Sequence, residues 1–247
     1  MTLDELPTPT QYSALIQPFS NDKSMIWVSL GVLGLSIAFL IWTLWFKTNH
    51  SKISTLVSDP SIKLIEGFLS PEECKQLIDI SESKLERSFV VNGENGFLVD
   101  DTRTSTSAHL GIGNHAVVDG IGARACKFLG VPDSFLEPIQ VVSYQPGQLY
   151  KSHFDYFSPD RMQYEKSQRT DTFFVYLNDE FEGGETEFPE LNRKFRGKTG
   201  DAIWWRNAPD GFGSEDERLL HGGLPPTSGR KWGCNIWIRE KPYEIGK

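Results

Sequence analysis

The stretch Tyr144-Gln-Pro-Gly-Gln-Leu-Tyr150-Lys-Ser-His153-Phe-Asp155 contains a His-x-Asp pair directly after the strand-like segment Gln140-Val-Val-Ser-Tyr144. In an extended backbone, residues i and i+2 point to the same face, so the imidazole of His153 and the carboxylate of Asp155 can converge on one point. A second imidazole, that of His221, lies further along the chain, and Lys231 follows it by ten residues. The chain therefore offers two imidazoles, one carboxylate and one ammonium group for a shared site.

These residue types indicate a metal centre. Two histidines and one carboxylate on one face of an ion form the facial triad of non-haem Fe(II) oxygenases, which leaves coordination positions open. The same donors suit Zn(II), so a zinc hydrolase is an alternative. A hydrolase would also need a general base near a metal-bound water, and it would give Lys231 no role. A His-x-Asp pair alone is weak evidence, because the same pair also occurs by chance in surface loops.

The order of helical and strand patterns predicts the fold class. Ser70-Pro-Glu-Glu73 has the form of a capping box that opens a helix, and a second helical pattern covers residues 114–129 and ends at Gly130. After Pro138 the segments are short, apolar, rich in Val, Phe, Tyr and Trp, and separated by Gly and Pro. Helices followed by strands predict an α+β domain, a double-stranded β-helix (jelly roll) with N-terminal supporting helices.

The front of the chain predicts a membrane anchor. Residues 1–24 are polar and read as a disordered tail, whereas residues 25–46 carry no charged side chain. At about 1.5 Å per residue this apolar run reaches about 33 Å, enough for one transmembrane helix. A signal peptide is the alternative, but the run is too long and starts too late. Residues 47–60 are expected to form a polar linker.

Composition narrows the classes of partner. The net charge is −8 and the sequence pI is about 5.2, so no global basic field favours nucleic acid. The three cysteines, Cys74, Cys126 and Cys234, are too few for a disulfide framework. Buried thiols are the expected state, and one disulfide with a leftover thiol stays open.

Further motifs follow the His-x-Asp pair in a fixed order. They are Arg169-Thr-Asp-Thr-Phe-Phe-Val-Tyr-Leu177, Glu182-Gly-Gly-Glu-Thr186, Gly200-Asp-Ala-Ile-Trp-Trp205, His221-Gly-Gly and Lys231-Trp-Gly-Cys-Asn-Ile-Trp237. In this order they resemble the catalytic domain of the prolyl 4-hydroxylases, which are Fe(II)/2-oxoglutarate dioxygenases. The resemblance runs from about Ile62 to Tyr243, so we expect the dioxygenase domain to occupy residues 61–243. It implies the same jelly-roll fold.

The resemblance also implies roles for individual residues. The metal ligands would be His153, Asp155 and His221. Lys231 would bind the distal carboxylate of 2-oxoglutarate, and the family positions that complete the cosubstrate pocket correspond to Tyr144, Thr186 and Trp237. The residues expected to contact a peptide substrate are Arg169 and Tyr150. Fe(II), 2-oxoglutarate, O2 and L-ascorbate are the implied cofactors and cosubstrates, and peptidyl proline would become 4-hydroxyproline as succinate and CO2 are released.

The sequence leaves several alternatives open. The same cofactor chemistry could act on another peptidyl side chain or a small molecule, and the domain could be an inactive peptide-binding module. Membrane-anchored members of the family usually hold the catalytic domain in the endoplasmic reticulum lumen, which is the location we expect. Lys47 and Lys52 on the C-terminal flank of the apolar run argue instead for the cytoplasm. The sequence names neither the substrate protein nor the oligomeric state.

Overall fold

The computed structural model describes residues 51–92, 96–208 and 215–244. The predicted disordered tail (1–24) and transmembrane helix (25–46) lie outside these residues. Over the three described ranges, no helix has the length and apolar character needed to cross a bilayer.

The described residues form two helices of several turns, α1 (Pro71–Glu82) and α2 (Ala116–Leu129), and a single helical turn, Pro159–Met162. Short 3-10 turns occupy Asp133–Phe135, Pro189–Leu191 and Glu217–Leu219. The strands are β1 (Lys52–Val57), β2 (Ile62–Glu66), β3 (Glu86–Arg87), β4 (Val90–Asn92), β5 (Gly96–Leu98), β6 (Thr106–Leu110), β7 (Ile139–Tyr144), β8 (Tyr150–His153), β9 (Arg169–Tyr176), β10 (Phe181–Gly183), β11 (Thr186–Phe188), β12 (Arg193–Phe195), β13 (Ala202–Arg206), β14 (His221–Gly223), β15 (Pro226–Gly229) and β16 (Lys231–Arg239).

The strands build a major and a minor antiparallel sheet. The major sheet has the order β1-β2-β13-β9-β16-β7-β6-β3, and the minor sheet has the order β12-β11-β14-β8. Two-stranded ribbons join β10 to β15 and β4 to β5. The sheets pack against each other where the rings of Trp205 and Phe188 meet edge to face, with centroids 5.4 Å apart. The predicted jelly roll is therefore confirmed, as a mostly β domain with few helices.

Side chains of the central strands in the major sheet point alternately to its two faces, and each face contributes to a separate apolar core. On β9, Phe173 and Val175 pack into the core shared with α1 and α2, whereas Phe174 and Tyr176 face the minor sheet. Side chains of a strand alternate between its faces, so both faces of this strand must be apolar when both are covered. The near-continuous apolar run Phe-Phe-Val-Tyr of β9 follows from burial on both sides.

The supporting helices begin and end where local chemistry predicts. Ser70 caps α1 by accepting from the Glu73 N–H, and the Glu73 carboxylate accepts from the Ser70 N–H. Such a cap contributes about 1 kcal/mol. Helix α2 ends at Gly130, whose φ of 71° is the left-handed conformation that glycine adopts without strain. The helices contribute buried residues such as Leu77 and Ile121 to the core that they share with the major sheet.

The predicted linker over residues 47–60 is wrong for residues 52–57. These residues form the edge strand β1, which pairs antiparallel with β2 from Lys52 opposite Glu66 onward. The Lys52 ammonium lies 3.0 Å from the Glu66 carboxylate. An edge strand is half solvent-exposed and carries polar and charged side chains, so composition alone makes it look like a linker. Among the described residues, the folded domain therefore begins before residue 61.

All three cysteines are buried free thiols. Burial raises the pKa of Cys74 to about 12 and that of Cys126 to about 11, and burial also raises the pKa of Cys234. Because a thiol reacts as its thiolate, these groups are chemically quiet in the folded domain. The disulfide that the sequence leaves open does not form.

Thiol labelling tests this burial. In the native protein without reductant, all three cysteines should react with a thiol reagent more than about a hundredfold more slowly than in denaturant, because labelling then requires opening of the core. Each denatured chain should consume three equivalents of the thiol reagent, one for each cysteine. One equivalent per denatured chain would reveal a disulfide and contradict the free-thiol assignment.

Candidate metal centre

Two neighbouring strands of the minor sheet bring the predicted metal ligands together. His153 is the last residue of β8 and His221 the first residue of β14, and the two residues stand opposite each other in the antiparallel pair. Their ring centroids are 4.5 Å apart. Asp155 follows β8 by two residues, and one ligand atom from each of the three side chains lies within 4.8 Å of the others.

Hydrogen bonds fix which imidazole nitrogens face the carboxylate. Nδ1 of His153 lies 2.9 Å from the Lys151 carbonyl oxygen, and Nδ1 of His221 lies 3.0 Å from the Leu219 carbonyl oxygen. A carbonyl only accepts, so each Nδ1 carries the proton and each Nε2 keeps its lone pair. The two Nε2 atoms lie 3.9 Å and 3.6 Å from the Asp155 carboxylate oxygens. This is the tautomer and orientation that a divalent metal requires.

The protonation states also fit a metal. Burial and the nearby His221, opposed by the charge of Asp155, lower the pKa of His153 to about 3, so the His153 ring is neutral at neutral pH. Burial would raise the pKa of Asp155, but the two imidazoles and Arg169 hold that pKa below its ordinary value. One carboxylate and one neutral imidazole are therefore ready to bind a cation without losing a proton.

Lys231 brings a buried positive charge to the same interior. It is the first residue of β16, it is 1% exposed, and its Nζ lies 4.8–5.5 Å from the ring centroids of Phe174, Tyr144 and Tyr176. Within the described ranges, no carboxylate pairs with this ammonium group. Burial, aided by the charge of Arg196 and opposed by that of Glu185, lowers the pKa of Lys231 to about 7. An unpaired ammonium in such a cavity favours an anionic ligand.

A small inner cavity connects Lys231 to the three candidate ligands. Its lining includes Tyr144, Thr186 and Trp237, the other residues expected at a cosubstrate pocket. Gly184, with a φ of 68°, forms part of the turn beside it. A Cβ at Gly184 would lie 3.2 Å from Lys231 Cδ and 2.9 Å from the Phe181 ring, so this turn needs a glycine.

The hydroxyl of Thr186 is already engaged. The Tyr176 hydroxyl lies 2.9 Å from the Phe195 carbonyl oxygen, to which it donates its single proton. Thr186 Oγ1, 2.9 Å from the same tyrosine oxygen, must then donate to it. The structure thus places Thr186 in the cavity, and a carboxylate bound there would compete with Tyr176 for the threonine proton.

An open cleft of about 1070 Å³ leads to the candidate ligands from outside. Tyr150 lines this cleft, and its ring stacks on His153 with centroids 3.6 Å apart. The guanidinium of Arg103 lies 4.5 Å from the Tyr150 centroid and donates to the side-chain oxygen of Gln140 at 2.8 Å. Tyr150 is therefore both a cleft wall and a support for one imidazole.

Arg169 lines the cleft as well, but two of its five N–H donors bind Glu137. Its Nε and Nη2 each lie 2.8 Å from a Glu137 oxygen, and the guanidinium stacks on Trp237 at 3.7 Å from the ring centroid. Burial would raise the pKa of Glu137, but Arg169 and Arg239 hold that pKa below its usual range. Nη1 of Arg169 lies 3.9 Å from Asp155 Oδ1, so one edge of this guanidinium faces the site.

The sequence interpretation missed Glu137 and Asn207. Glu137 precedes β7 and pairs with an arginine 32 residues away. Asn207 follows β13, and its side chain bonds to Thr172 on the neighbouring strand. Neither residue belongs to a local motif, and their partners become visible only when distant segments meet in the sheet.

Comparison with known proteins agrees with this geometry. Residues 139–239 match the model of the 2OG-Fe(II) oxygenase superfamily. "Prolyl 4-hydroxylase 1" of Arabidopsis thaliana is 36% identical over 199 residues, which cover 74% of this chain and 70% of the relative. "Probable prolyl 4-hydroxylase 10" of the same plant is 32% identical over 218 residues, which cover 80% and 75%.

A solved structure shares both fold and sequence. The viral collagen prolyl hydroxylase of Paramecium bursaria Chlorella virus 1, solved as its 2OG complex, is 34% identical with a TM-score of 0.58. The match covers 72% of this chain and 95% of the viral chain. The jelly roll and its sequence pattern therefore occur together in a structure that holds 2OG.

The charge state of Lys231 leads to a pH-dependent prediction. The role expected for Lys231, binding the 2-oxoglutarate carboxylate, would require the protonated ammonium, whereas without a bound anion the group loses its proton as the pH rises through about 7. Between pH 7 and pH 9 the dissociation constant for 2-oxoglutarate should therefore rise by up to about tenfold per pH unit. Anaerobic equilibrium binding to the metal-loaded protein measures this dependence.

The matched control is Lys231→Arg, because a guanidinium stays protonated over this range. Its binding should be weaker than that of the wild type at pH 7 but nearly independent of pH. Tyr144 and Tyr176, which face Lys231, do not titrate in this window because burial raises their pKa values above the ordinary 10. An equal pH slope in the wild type and in Lys231→Arg would contradict this account.

Proposed function

Since the chain belongs to the prolyl 4-hydroxylase family of 2OG-Fe(II) oxygenases, we propose that it hydroxylates peptidyl proline to 4-hydroxyproline. The reaction is that of a 2-oxoglutarate-dependent dioxygenase, which releases succinate and CO2. His153, Asp155 and His221 hold Fe(II), and Lys231 binds the distal carboxylate of 2-oxoglutarate. Ascorbate serves as the reductant that keeps the iron ferrous.

The observation that carries this proposal is that one cavity holds the three ligands and a buried ammonium with no carboxylate partner among the described residues. A zinc hydrolase would use the ligands but would leave a buried positive charge without a function, at a cost in stability. A 2-oxoglutarate oxygenase uses both features. Bound Fe(II) and 2-oxoglutarate supply the oxidising chemistry that places one atom of O2 on the substrate carbon.

The residues of this chain supply geometry and exclude water. Lys231 and the walls formed by Phe174 and Trp205 keep the inner end of the cavity dry, since all three are at most 7% exposed. Trp205 packs against His221 with ring centroids 4.7 Å apart and holds that imidazole in place. Tyr150 does the same for His153 from the cleft side. Both imidazoles are thus fixed before a metal binds.

The outer cleft suits a peptide. It contains aromatic side chains, including Tyr150, Tyr156 and Tyr164, and the last of these is 56% exposed. Aromatic grooves bind extended proline-rich segments, which are already ordered and lose little entropy on binding. Tyr150 and the Nη1 edge of Arg169 lie where such a peptide would pass the metal, and we assign both to peptide contact.

The direct test combines two products. Full-length protein in mild detergent, with Fe(II), ascorbate, 2-oxoglutarate and a panel of proline-rich peptides, should release succinate and add one oxygen to proline in equal amounts. Succinate assays and peptide mass spectrometry with fragmentation measure the two products. The control is Asp155→Ala, which removes the carboxylate of the proposed metal site and should abolish both products.

Succinate without peptide oxidation would preserve the cofactor assignment and contradict the peptidyl-proline substrate. Neither product from iron-loaded protein across the panel would contradict the proposed activity.

For the location, we propose a single-pass anchor at residues 25–46 and a catalytic domain in the endoplasmic reticulum lumen. The uncharged run supports the anchor, and the usual location of the catalytic domain in membrane-anchored members of the family supports the lumen. The two lysines that flank the run argue for the opposite side, so the orientation rests on the family argument.

Sealed microsomes test the orientation. The C-terminal domain should resist added protease until detergent opens the vesicles, because a lumenal domain is shielded by the membrane. A C-terminal epitope tag followed by immunoblotting reports the protected fragment. Complete digestion without detergent would place the domain in the cytoplasm.

A further inference from the structure

A buried hydroxyl on strand β9 holds the candidate carboxylate ligand. Thr172 Oγ1 lies 2.8 Å from Asp155 Oδ2, and Thr172 has no exposed surface. An ionised carboxylate can only accept, so the threonine donates its single proton to Asp155. A hydrogen bond to a charged acceptor in a buried site is stronger than a neutral one.

Asn207 determines where the Thr172 proton goes. Its side-chain nitrogen lies 3.0 Å from Thr172 Oγ1 and 3.4 Å from the Arg169 carbonyl oxygen, and both atoms can accept. Asn207 is 3% exposed, and its backbone N–H donates to the Thr170 carbonyl at 2.8 Å. Because the amide donates to the threonine oxygen, the hydroxyl proton is left for Asp155. The competing contact, from Thr172 Oγ1 to Asn207 Oδ1, is longer at 3.3 Å.

The oxygen that Thr172 binds, Asp155 Oδ2, is also one of the two carboxylate oxygens that face the imidazoles. Asp155 Oδ2 lies 3.6 Å from His221 Nε2, and Oδ1 lies 3.9 Å from His153 Nε2. Asp155 follows the end of β8, so no strand pairing fixes its backbone. Fixing Oδ2 sets the rotation of the carboxylate and hence the lone pairs that face the two imidazoles.

We propose that Asn207 and Thr172 form a relay, Asn207 Nδ2–H to Thr172 Oγ1–H to Asp155 Oδ2, that orients the carboxylate for metal binding. Both are positioning residues that act through Asp155. The relay rests on the proposed function only in taking Asp155 and the two histidines as metal ligands. It requires no particular peptide substrate.

The test is a metal titration that needs no turnover. Full-length wild type and variants are titrated anaerobically with Co(II), an Fe(II) substitute, and the visible absorption of the bound ion gives its dissociation constant. Thr172→Val, which keeps the shape and removes the hydroxyl, should weaken binding by about 10- to 100-fold. Thr172→Ala should do the same, and Thr172→Ser should stay within about threefold of the wild type. The matched control is Thr170→Val on the same strand, because the Thr170 hydroxyl bonds to the Ile238 carbonyl and not to Asp155.

A double-mutant cycle separates a relay from independent packing. Asn207→Leu should weaken Co(II) binding by at least about threefold in the wild type and by less than about twofold in Thr172→Val, because the relay acts in series. The change in thermal stability of the metal-free variants is measured in parallel. If Thr172 had only a structural role, its variants would lose thermal stability, and Thr172→Ser would not restore metal affinity.

The outcomes separate the two claims. Wild-type protein that binds no Co(II), or binds it independently of His153 and His221, contradicts the proposed function itself. Wild-type binding that Thr172→Val and Thr172→Ala leave unchanged contradicts the relay alone. Additive losses in the cycle, or equal losses in Thr172→Ser and Thr172→Ala, also overturn the relay. If Thr172→Val does not fold, Thr172→Ala and Asn207→Leu decide the matter.

Discussion

The register of strand β16 between β7 and β9 is the constraint on which the site depends. Lys231 stands opposite Tyr144, and Trp237 stands opposite Thr172. A slip of one residue would reverse the face of every side chain, moving Lys231 into the core under the helices and Trp232 into the cavity. Pairing with β7 on one side and β9 on the other opposes that slip, and the side chains of β16 fit the two cores in only one register.

The proposed ligands would give the buried charges of the site direct counterions. Asp155 carries one negative charge and Lys231 one positive charge, and the lining aromatic rings provide no counterion. These two charges sum to zero, and a divalent cation beside Asp155 with a dicarboxylate that reaches Lys231 would keep that total while giving each buried charge a direct partner, which a poorly hydrated cavity favours. The lowered pKa of Lys231 reflects the burial of its ammonium group. Binding and folding are therefore coupled through buried charge.

Sequence patterns predicted those parts of the molecule that local rules control. The capping box at Ser70, the glycine stop at Gly130 and the run of strands after Pro138 each follow from short-range chemistry. Motif spacing predicted the three metal ligands and Lys231, and the structure brings all four residues to one cavity. The bond from Thr172 to Asp155, by contrast, depends on which strands become neighbours. Edge strand β1 escaped prediction because half-exposed strands and linkers share a polar composition.

The most direct test of the central claim is the position of the iron. Crystals of the protein loaded anaerobically with Fe(II) and 2-oxoglutarate, with data collected at the iron absorption edge, would locate the ion by its anomalous signal. We expect it at about 2.0–2.2 Å from Nε2 of both His153 and His221 and from one oxygen of Asp155, the range typical for such donors. The distal carboxylate should contact Lys231. Iron bound elsewhere, or Lys231 paired with a protein carboxylate in the loaded state, would contradict the account.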